Sequence, residues 1–302
     1  MDLMGEFKRS MEILRSNLIL FLPALVIFYL IPVALFIAAV YVFTPIVIVA
    51  LKSPSPLWAL LQGSILGLAI LLIIAVLAYL YVVSGAANMN KKAVLTGTTS
   101  MSDFWEGCKK YFGKIVGGVI LLAIVHGIVI AVGILLTVAT VLPSIPKLTE
   151  PEFMPKFEAG AFEPERFTRL AAWLTELLRA VSDTLGVWVA LLTVSALVFI
   201  FTLFWIQALV VDEVGIIKAI GTSIGFVRRN FKTTIGIAGL WIIAQGFTRA
   251  VFPGGGMGGG GPGYGYGFGF PPPLQAIFQL LIATFFTLLL YTVYMDKTGK
   301  IT

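Results

Sequence analysis

The chain has little of what catalytic and metal-binding sites are made from. Its 302 residues include one cysteine, Cys108, and one histidine, His126, which exclude a disulfide framework and leave little room for a histidine-based metal site. Only 12% of the residues are charged, against roughly a quarter in a soluble domain. The long apolar segments contain no Asp, Glu or Lys. We therefore expect no enzyme, no metal and no cofactor.

Apolar residues, in contrast, are in excess, with 59% hydrophobic residues and a mean hydropathy of +0.99. A water-soluble globule of this size cannot bury that much apolar surface. Six apolar runs are long enough to cross about 30 Å of hydrocarbon as helices, in which the backbone groups pair internally. The predicted spans are 18–43, 57–83, 115–142, 185–211, 233–252 and 274–295.

Basic residues are divided unequally between the two sides of these spans. The side with both termini and the segments 84–114 and 212–232 carries 14 lysines and arginines, and the other side carries 7. The excess of positive charge predicts a cell-membrane protein with both termini in the cytoplasm. We attribute the net charge of +6 to this topology and to membrane lipids as partners, not to nucleic acid. The hypothetical headgroup contacts are Arg15, Lys109, Lys110, Lys114, Arg228, Arg229 and Lys232.

Three segments that precede a span share one pattern. When 4–18, 101–115 and 217–231 are aligned on a small residue, apolar residues fall at −6, −3, +1, +4 and +8, which is one face of a helix. We expect the small residue to pack closely against a span and the asparagines at +7 to cap helix ends. The small residues are Ser10, Gly107 and Ser223, and the polar residues at +7 are Asn17, Lys114 and Asn230.

This pattern predicts an all-α integral membrane protein whose six transmembrane helices form three repeats of interfacial helix plus transmembrane hairpin. Such repeats have the same topology, so a pseudo-threefold axis along the membrane normal would relate them within one polytopic domain. The repeats are 1–83, 84–211 with an external insertion at 143–184, and 212–302 with a Gly-rich external loop at 253–273. Within the insertion, 162–183 is predicted to be a separate amphipathic helix.

The Gly-rich loop has a composition that favours contact with other proteins. Eleven of its 21 residues are glycine, and four aromatic residues alternate with glycine, which places their rings on one side of an extended strand. We predict an interaction loop for self-association or for a membrane-protein partner. Its aromatic residues are Tyr264, Tyr266, Phe268 and Phe270.

One stretch resembles a known group of proteins. Residues 208–231, ALVVDEVGIIKAIGTSIGFVRRNF, resemble the signature of poorly characterised prokaryotic six-span membrane proteins related to the membrane domain of some glycerophosphoryl diester phosphodiesterases. The resemblance implies a six-span fold, and it implies no phosphodiesterase activity because the soluble domain is missing. The matching positions are Val211, Gly215, Ala219, Ser223, Val227, Asn230 and Phe231.

Two functions fit these observations. The first is a non-catalytic membrane-organising or accessory subunit that associates with itself or with a partner through the Gly-rich loop. The alternative is a channel or carrier for a small or lipidic solute along the pseudo-threefold axis. A packed interior would favour the subunit, and a continuous polar path would favour the channel.

Overall fold

The fold comes from a computed structural model that describes residues 3–51, 56–141, 164–251 and 273–301. These residues form helices and no strand. A 3₁₀ turn (Leu18–Leu20) and a π-helical segment (Val26–Leu30) flank the second α-helix. The α-helices are α1 (Leu3–Ser16), α2 (Phe21–Leu25), α3 (Ile31–Leu51), α4 (Pro56–Thr96), α5 (Met101–Val141), α6 (Pro164–Phe201), α7 (Trp205–Val211), α8 (Ile216–Arg229), α9 (Phe231–Val251) and α10 (Pro273–Lys297).

Within the described residues, five helical segments are long and apolar enough to cross a membrane. Large apolar side chains along them face outward, and Val49, Ile65 and Leu135 are 65–69% exposed. Water does not tolerate an apolar surface of this extent, whereas lipid does. The chain is therefore an all-α, multi-pass membrane protein. The five segments are Leu18–Val49, Gly63–Thr96, Met101–Thr140, Thr184–Val211 and Gln275–Lys297.

The predicted span at 233–252 is not among these five. It corresponds to α9, whose 21 residues would reach about 31 Å as a helix. Thr233, Thr234 and Gln245 lie within it and lower its hydropathy. A crossing by α9 therefore stays a prediction.

The chain divides into two compact units. Unit 1 comprises Met1–Gly118 and Thr202–Thr302, and unit 2 comprises Val119–Phe201. In unit 2, α5 and α6 approach closely where Gly133 faces the side chain of Leu191. The imidazole of His126, also in unit 2, is 2.8 Å from the carbonyl of Leu122 on its own helix.

The interior of unit 1 is filled by side chains of its own helices. α4, α7 and α10 contact one another in pairs, and α10 also contacts α1, α2 and α9. In α10, 56% of the most apolar stretch is buried, against at most 22% in the other four candidate spans. Large side chains that are completely or almost completely buried there are Met89, Tyr111, Ile115, Leu209, Phe226, Leu288, Tyr291 and Tyr294.

The first helix of unit 1 packs on the last one. The rings of Phe7 and Phe285 meet edge to face with centroids 4.7 Å apart. One turn further along α1, the buried hydroxyl of Ser10 donates to Oγ1 of Thr292 over 3.0 Å. These contacts join segments separated by about 280 residues in the sequence, since Ser10 and Thr292 are 282 positions apart.

The segment 101–115, predicted to be the second interfacial helix, does not form a separate helix. α5 runs unbroken through 41 residues, so the segment 101–115 is an extension of the span and not a separate helix. The difference follows from the residue at +7. Asn17 and Asn230 leave the helical region, with φ/ψ of −131°/63° and −118°/34°, and so separate α1 and α8 from the spans that follow. Lys114 favours helix at the same position, and the helix continues through it.

The fourth predicted span differs in a related way. α6 continues from Pro164 to Phe201, so the amphipathic helix predicted at 162–183 is joined to the span and not separate from it. The interruption lies instead between Phe201 and Trp205, inside the predicted span. Most of the prolines and glutamates of the insertion, at 142–163, and the Gly-rich loop with its four aromatic residues, at 252–272, lie outside the described residues.

Two glycines on α5 provide a matched test of how closely α5 packs against α4. A Cβ at Gly107 would lie 2.6 Å from Cβ of Asn88 and 2.7 Å from the backbone oxygen of Ser84, whereas one at Gly113 would meet nothing within 4 Å. We expect Gly107→Ala to destabilise unit 1 by about 1–3 kcal/mol through overpacking. Gly113→Ala should stabilise it by about 0.5–1 kcal/mol through helix propensity. Thermal unfolding in detergent measures both changes, and equal melting temperatures would contradict the close approach.

Candidate functional site at the basic end

Polar and charged side chains gather at one end of unit 1. This basic end comprises α1, the end of α4 and the start of α5 with the turn between them, α8 with the turns before and after it, and the end of α10 from Thr292 onward. It contains the sequence segments that carry the excess of lysine and arginine. All three aligned small residues, Ser10, Gly107 and Ser223, are buried there.

Each small residue contacts a helix from elsewhere in the sequence. Gly107 lies against the α4 backbone at Ser84, and Ser10 bonds to α10 as described above. Ser223 lies beside the interruption between α6 and α7, where its hydroxyl oxygen accepts the backbone N–H of Phe204 over 3.1 Å. The Ser223 hydroxyl thus satisfies a buried backbone donor at the interruption, which is costly to leave unpaired.

The two asparagines at +7 make the same local hydrogen bond. The side-chain amide of Asn17 donates to the carbonyl of Ile13 over 2.9 Å, and that of Asn230 donates to the carbonyl of Phe226 over 3.1 Å. Each amide therefore pairs with a carbonyl four residues earlier, at the C-terminal end of α1 or α8.

Asn17 also links α1 to a distant turn. Its amide donates to the carbonyl of Gly97 over 2.8 Å, and its side-chain oxygen accepts the N–H of Thr99 over 3.1 Å. Gly97 has a φ of +78°, a conformation that favours glycine, and it ends α4. Asn17 thus fixes the turn between α4 and α5 against the end of α1.

Glu213 is the centre of a second cross-link. Its carboxylate lies 2.9 Å from Nζ of Lys91 and 2.8 Å from Nζ of Lys110, and it accepts a 3.3 Å bond from the Tyr111 hydroxyl. The two lysines lower the pKa of Glu213 to about 2. Glu213 also has a φ of 55°, which is unusual outside glycine and points its side chain to this cluster.

Asp212 forms the neighbouring link. It accepts a 2.6 Å hydrogen bond from the hydroxyl of Tyr294 on α10 and lies 3.7 Å from Nζ of Lys300. Neither acid caps α8, because Gly215 occupies the N-cap and no side chain bonds there. The two acids instead connect the end of α7 to α10 and to α4 and α5.

A buried carboxylate joins α1 to the end of α10. Oε1 of Glu6 is 2.6 Å from Nζ of Lys297, which also lies 2.7 Å from Asp296. The side chain of Glu6 is only 8% exposed, and this burial raises its pKa despite the nearby lysine. Its second oxygen is buried and has no hydrogen-bond partner within the described residues. The sequence alone does not predict the pairing of Glu6 with Lys297, because it shows only a single charge in each of two segments 291 positions apart.

Two cavities open at the basic end, and Lys297 lines both. The first, of about 280 Å³, surrounds the Glu6–Lys297 pair, and the second, of about 580 Å³, lies where α8 turns into α9. We call the second the basic cavity. The first is lined by Gly5, Glu6, Arg9, Thr292, Asp296 and Lys297. The basic cavity is lined by Arg228, Arg229, Asn230, Phe231, Lys232, Thr233 and Lys297.

The structure separates the seven residues that the sequence grouped as headgroup contacts. Arg228, Arg229 and Lys232 line the basic cavity, whereas Lys110 pairs with Glu213. The other three lie outside both cavities: Arg15 and Lys109 are exposed, and Lys114 is half-buried. Within the described ranges, no three His, Cys, Asp or Glu side chains converge as metal ligands.

A protein family matches residues 1–294, almost the whole chain. The chain belongs to the DUF7847 family. This family is described as a domain of unknown function. Neither a curated protein nor a solved structure matches the chain. The DUF7847 match makes no link to the membrane domain of glycerophosphoryl diester phosphodiesterases, so that resemblance stays a prediction.

The cross-link at Glu213 predicts a specific pH dependence. Its folded-state pKa of about 2 lies below the ordinary value of 4.5, so the stability that it contributes is present above pH 4.5 and is lost as the pH falls towards 2. Because Glu213 is 48% exposed, we expect Glu213→Gln to cost less than about 1 kcal/mol at pH 7.

Melting temperatures of both proteins between pH 7 and pH 3 test this expectation. The difference between wild type and Glu213→Gln should be constant near neutral pH and shrink on acidification. Glu12→Gln, a change at an exposed acid of α1, should give little difference at any pH. A Glu213→Gln difference that grows as the pH falls would contradict the assignment.

Proposed function

We propose that this DUF7847 protein is a non-catalytic membrane-organising or accessory subunit. The supporting observation is the filled interior of unit 1, where α4, α7 and α10 contact one another. A solute pathway along a central axis would separate these helices. Close contacts instead favour a rigid body that presents surfaces to lipids and to other proteins.

The proposal includes the complete six-span arrangement, with α9 as the fifth span. The contacts of the small residues support three repeats around a closed ring. Gly107 lies on α4 and Ser223 on the interruption before α7, and each of these is the span that precedes the segment in the sequence. Ser10 has no preceding span and lies on α10, the last one. That contact is the one that a pseudo-threefold arrangement requires to close.

The exposed apolar faces of α1 and α8 support an interfacial position for both helices. On each helix the small residue and the +4 residue are buried, whereas the residues at −6 and +1, and the residue at +8 just beyond the helix end, are exposed. Such a face is stable when it lies on the hydrocarbon at headgroup depth. The exposed residues are Met4, Met11 and Leu18 in the first repeat and Ile217, Ile224 and Phe231 in the third, with 38–80% exposure.

One observation favours a channel or carrier as a second candidate. Polar atoms of Gln207, Gln275, Thr284 and Tyr291 are buried in α7 and α10 without hydrogen-bond partners among the described residues. Polar side chains in the interior of a membrane protein often line solute pathways. The two candidates differ in what the purified protein does in a vesicle.

Assembly and solute flux measured on the same preparation discriminate between them. We expect the detergent-extracted wild type to be an oligomer or a complex by native mass spectrometry, and to give vesicles no solute flux above that of protein-free vesicles. Replacement of Tyr264, Tyr266, Phe268 and Phe270 by serine should dissociate the assembly.

Deletion of 254–261 is the matched control, because it shortens the loop without removing a ring. It should leave the assembly intact. An assembly that survives the serine replacements would exclude the loop as its contact, and solute flux from the wild type would favour the channel.

The proposed orientation has its own test. The ion pair between Glu6 and Lys297 places the N-terminal and C-terminal segments at the same end of unit 1, and the positive charge there favours the cytoplasmic side. In a Cys108→Ala background, Lys300→Cys should react with an impermeant thiol reagent only from the cytosol. Tyr264→Cys should react only from outside. The reverse pattern would contradict the orientation.

A further inference from the structure

We propose that the basic cavity binds a phosphate group, carried by an anionic phospholipid headgroup or free in solution. The inference goes beyond the proposed function, because the site requires neither self-association nor a protein partner. It rests on the size of this open cavity, on its charge and on its position in the fold.

The cavity has the size and the donors for such a ligand. Its volume of about 580 Å³ lies within the range of about 300–1,000 Å³ that is typical of small-ligand sites. Two guanidinium groups and two ammonium groups line it, together with the Asn230 amide, and none of its lining residues in the described part of the chain carries a carboxylate. Arginine side chains offer paired N–H donors that match phosphate oxygens.

The positive charge of the cavity is largely unneutralised. Within the described part of the chain, Lys91, Lys110 and Lys297 each pair with a carboxylate, but Arg228, Arg229 and Lys232 form no such pair. Three cations around one opening repel each other, and an anion between them removes this repulsion. Arg229 uses its Nε for the carbonyl of Gly225, over 3.3 Å, which leaves its terminal N–H groups for a ligand.

The position of the cavity suits the phosphate level of a membrane. It lies at Asn230, where α8 with its exposed apolar face turns into α9. Phe231 lines the cavity and is 47% exposed, so an apolar wall stands beside the cationic groups. A phospholipid presents the same sequence of groups, with phosphate above and glycerol and acyl chains below.

Lys297 belongs to the cavity wall but is unsuitable as a test residue. Its ammonium is held by Glu6 and Asp296, so it adds little net charge. Its removal would also leave the buried Glu6 without its cation and would loosen α1. The remaining three cations are exposed, and none of them pairs with a carboxylate among the described residues.

The experiment compares two full-length variants that lose the same charge. Arg228→Gln/Arg229→Gln/Lys232→Gln removes the three cavity cations, and Arg15→Gln/Lys109→Gln/Lys114→Gln removes three cations outside the cavity. Each purified protein is mixed with equal amounts of phosphatidylglycerol and phosphatidylcholine, and native mass spectrometry counts the bound lipids. In a second arm, inorganic phosphate is titrated against chloride at equal ionic strength while the melting temperature is followed.

We expect the cavity variant to lose its preference for phosphatidylglycerol or its stabilisation by phosphate by about tenfold in apparent affinity, and the control variant to change less than twofold. An effect in the lipid arm identifies a headgroup, and an effect in the phosphate arm identifies a free phosphate. Equal losses in the two variants, or no preference in either arm, would overturn the inference.

If the triple variant melts early in chloride, Arg229→Gln alone replaces it, with Lys109→Gln as its control. The same spectra report the assembly state, so failure of the phosphate site is distinguishable from failure of the proposed self-association.

Discussion

The docking of α1 on α10 is the contact on which the arrangement of unit 1 depends. Lipid tails are as apolar as leucine, so helices in a membrane gain little from hydrophobic burial and associate through close packing and hydrogen bonds. At Ser10 a small side chain allows the helices to approach, and its hydroxyl bonds to Thr292. The nearby pair of Glu6 and Lys297 is partly shielded from water, because the side chain of Glu6 is almost fully buried. Together with the hydrogen bond from Asn17 to Gly97 at the end of α4, this contact fixes α1 against two spans.

Because helices in a membrane gain little from hydrophobic burial, polar contacts between them are also needed at their ends. The charged residues that follow the apolar runs make such contacts. Asp212 and Glu213 follow α7 directly, and the positive φ of Glu213 lets the two side chains reach different helices. Asp212 reaches Tyr294, and Glu213 reaches Lys91 and Lys110. Each acid therefore pairs with donors more than 80 positions away in the sequence, which restricts how the ends of the spans are arranged.

Length and hydropathy predicted most of the membrane segments but not the way in which they join. An apolar run of 20 or more residues identifies a helix in lipid wherever it occurs, because the backbone has no other partner. Whether that helix continues into its neighbour depends on single residues. Asn17 and Asn230 interrupt their helices and Lys114 does not, and the pattern treated the three as equivalent polar positions.

The candidate site was less accessible to sequence reasoning, because it depends on which charges find partners. The sequence grouped seven basic residues because all of them are expected at the level of the lipid headgroups. Lys110 and Arg228 have the same expected level in the membrane. The folded chain distinguishes them, since Glu213 neutralises Lys110 and no described carboxylate reaches Arg228. Ion pairs between distant segments cannot be assigned from one sequence without knowing which spans are neighbours. The missing information is therefore which helices are in contact, beginning with α1 and α10, because the end of α10 brings Lys297 to the cavity that Arg228, Arg229 and Lys232 surround.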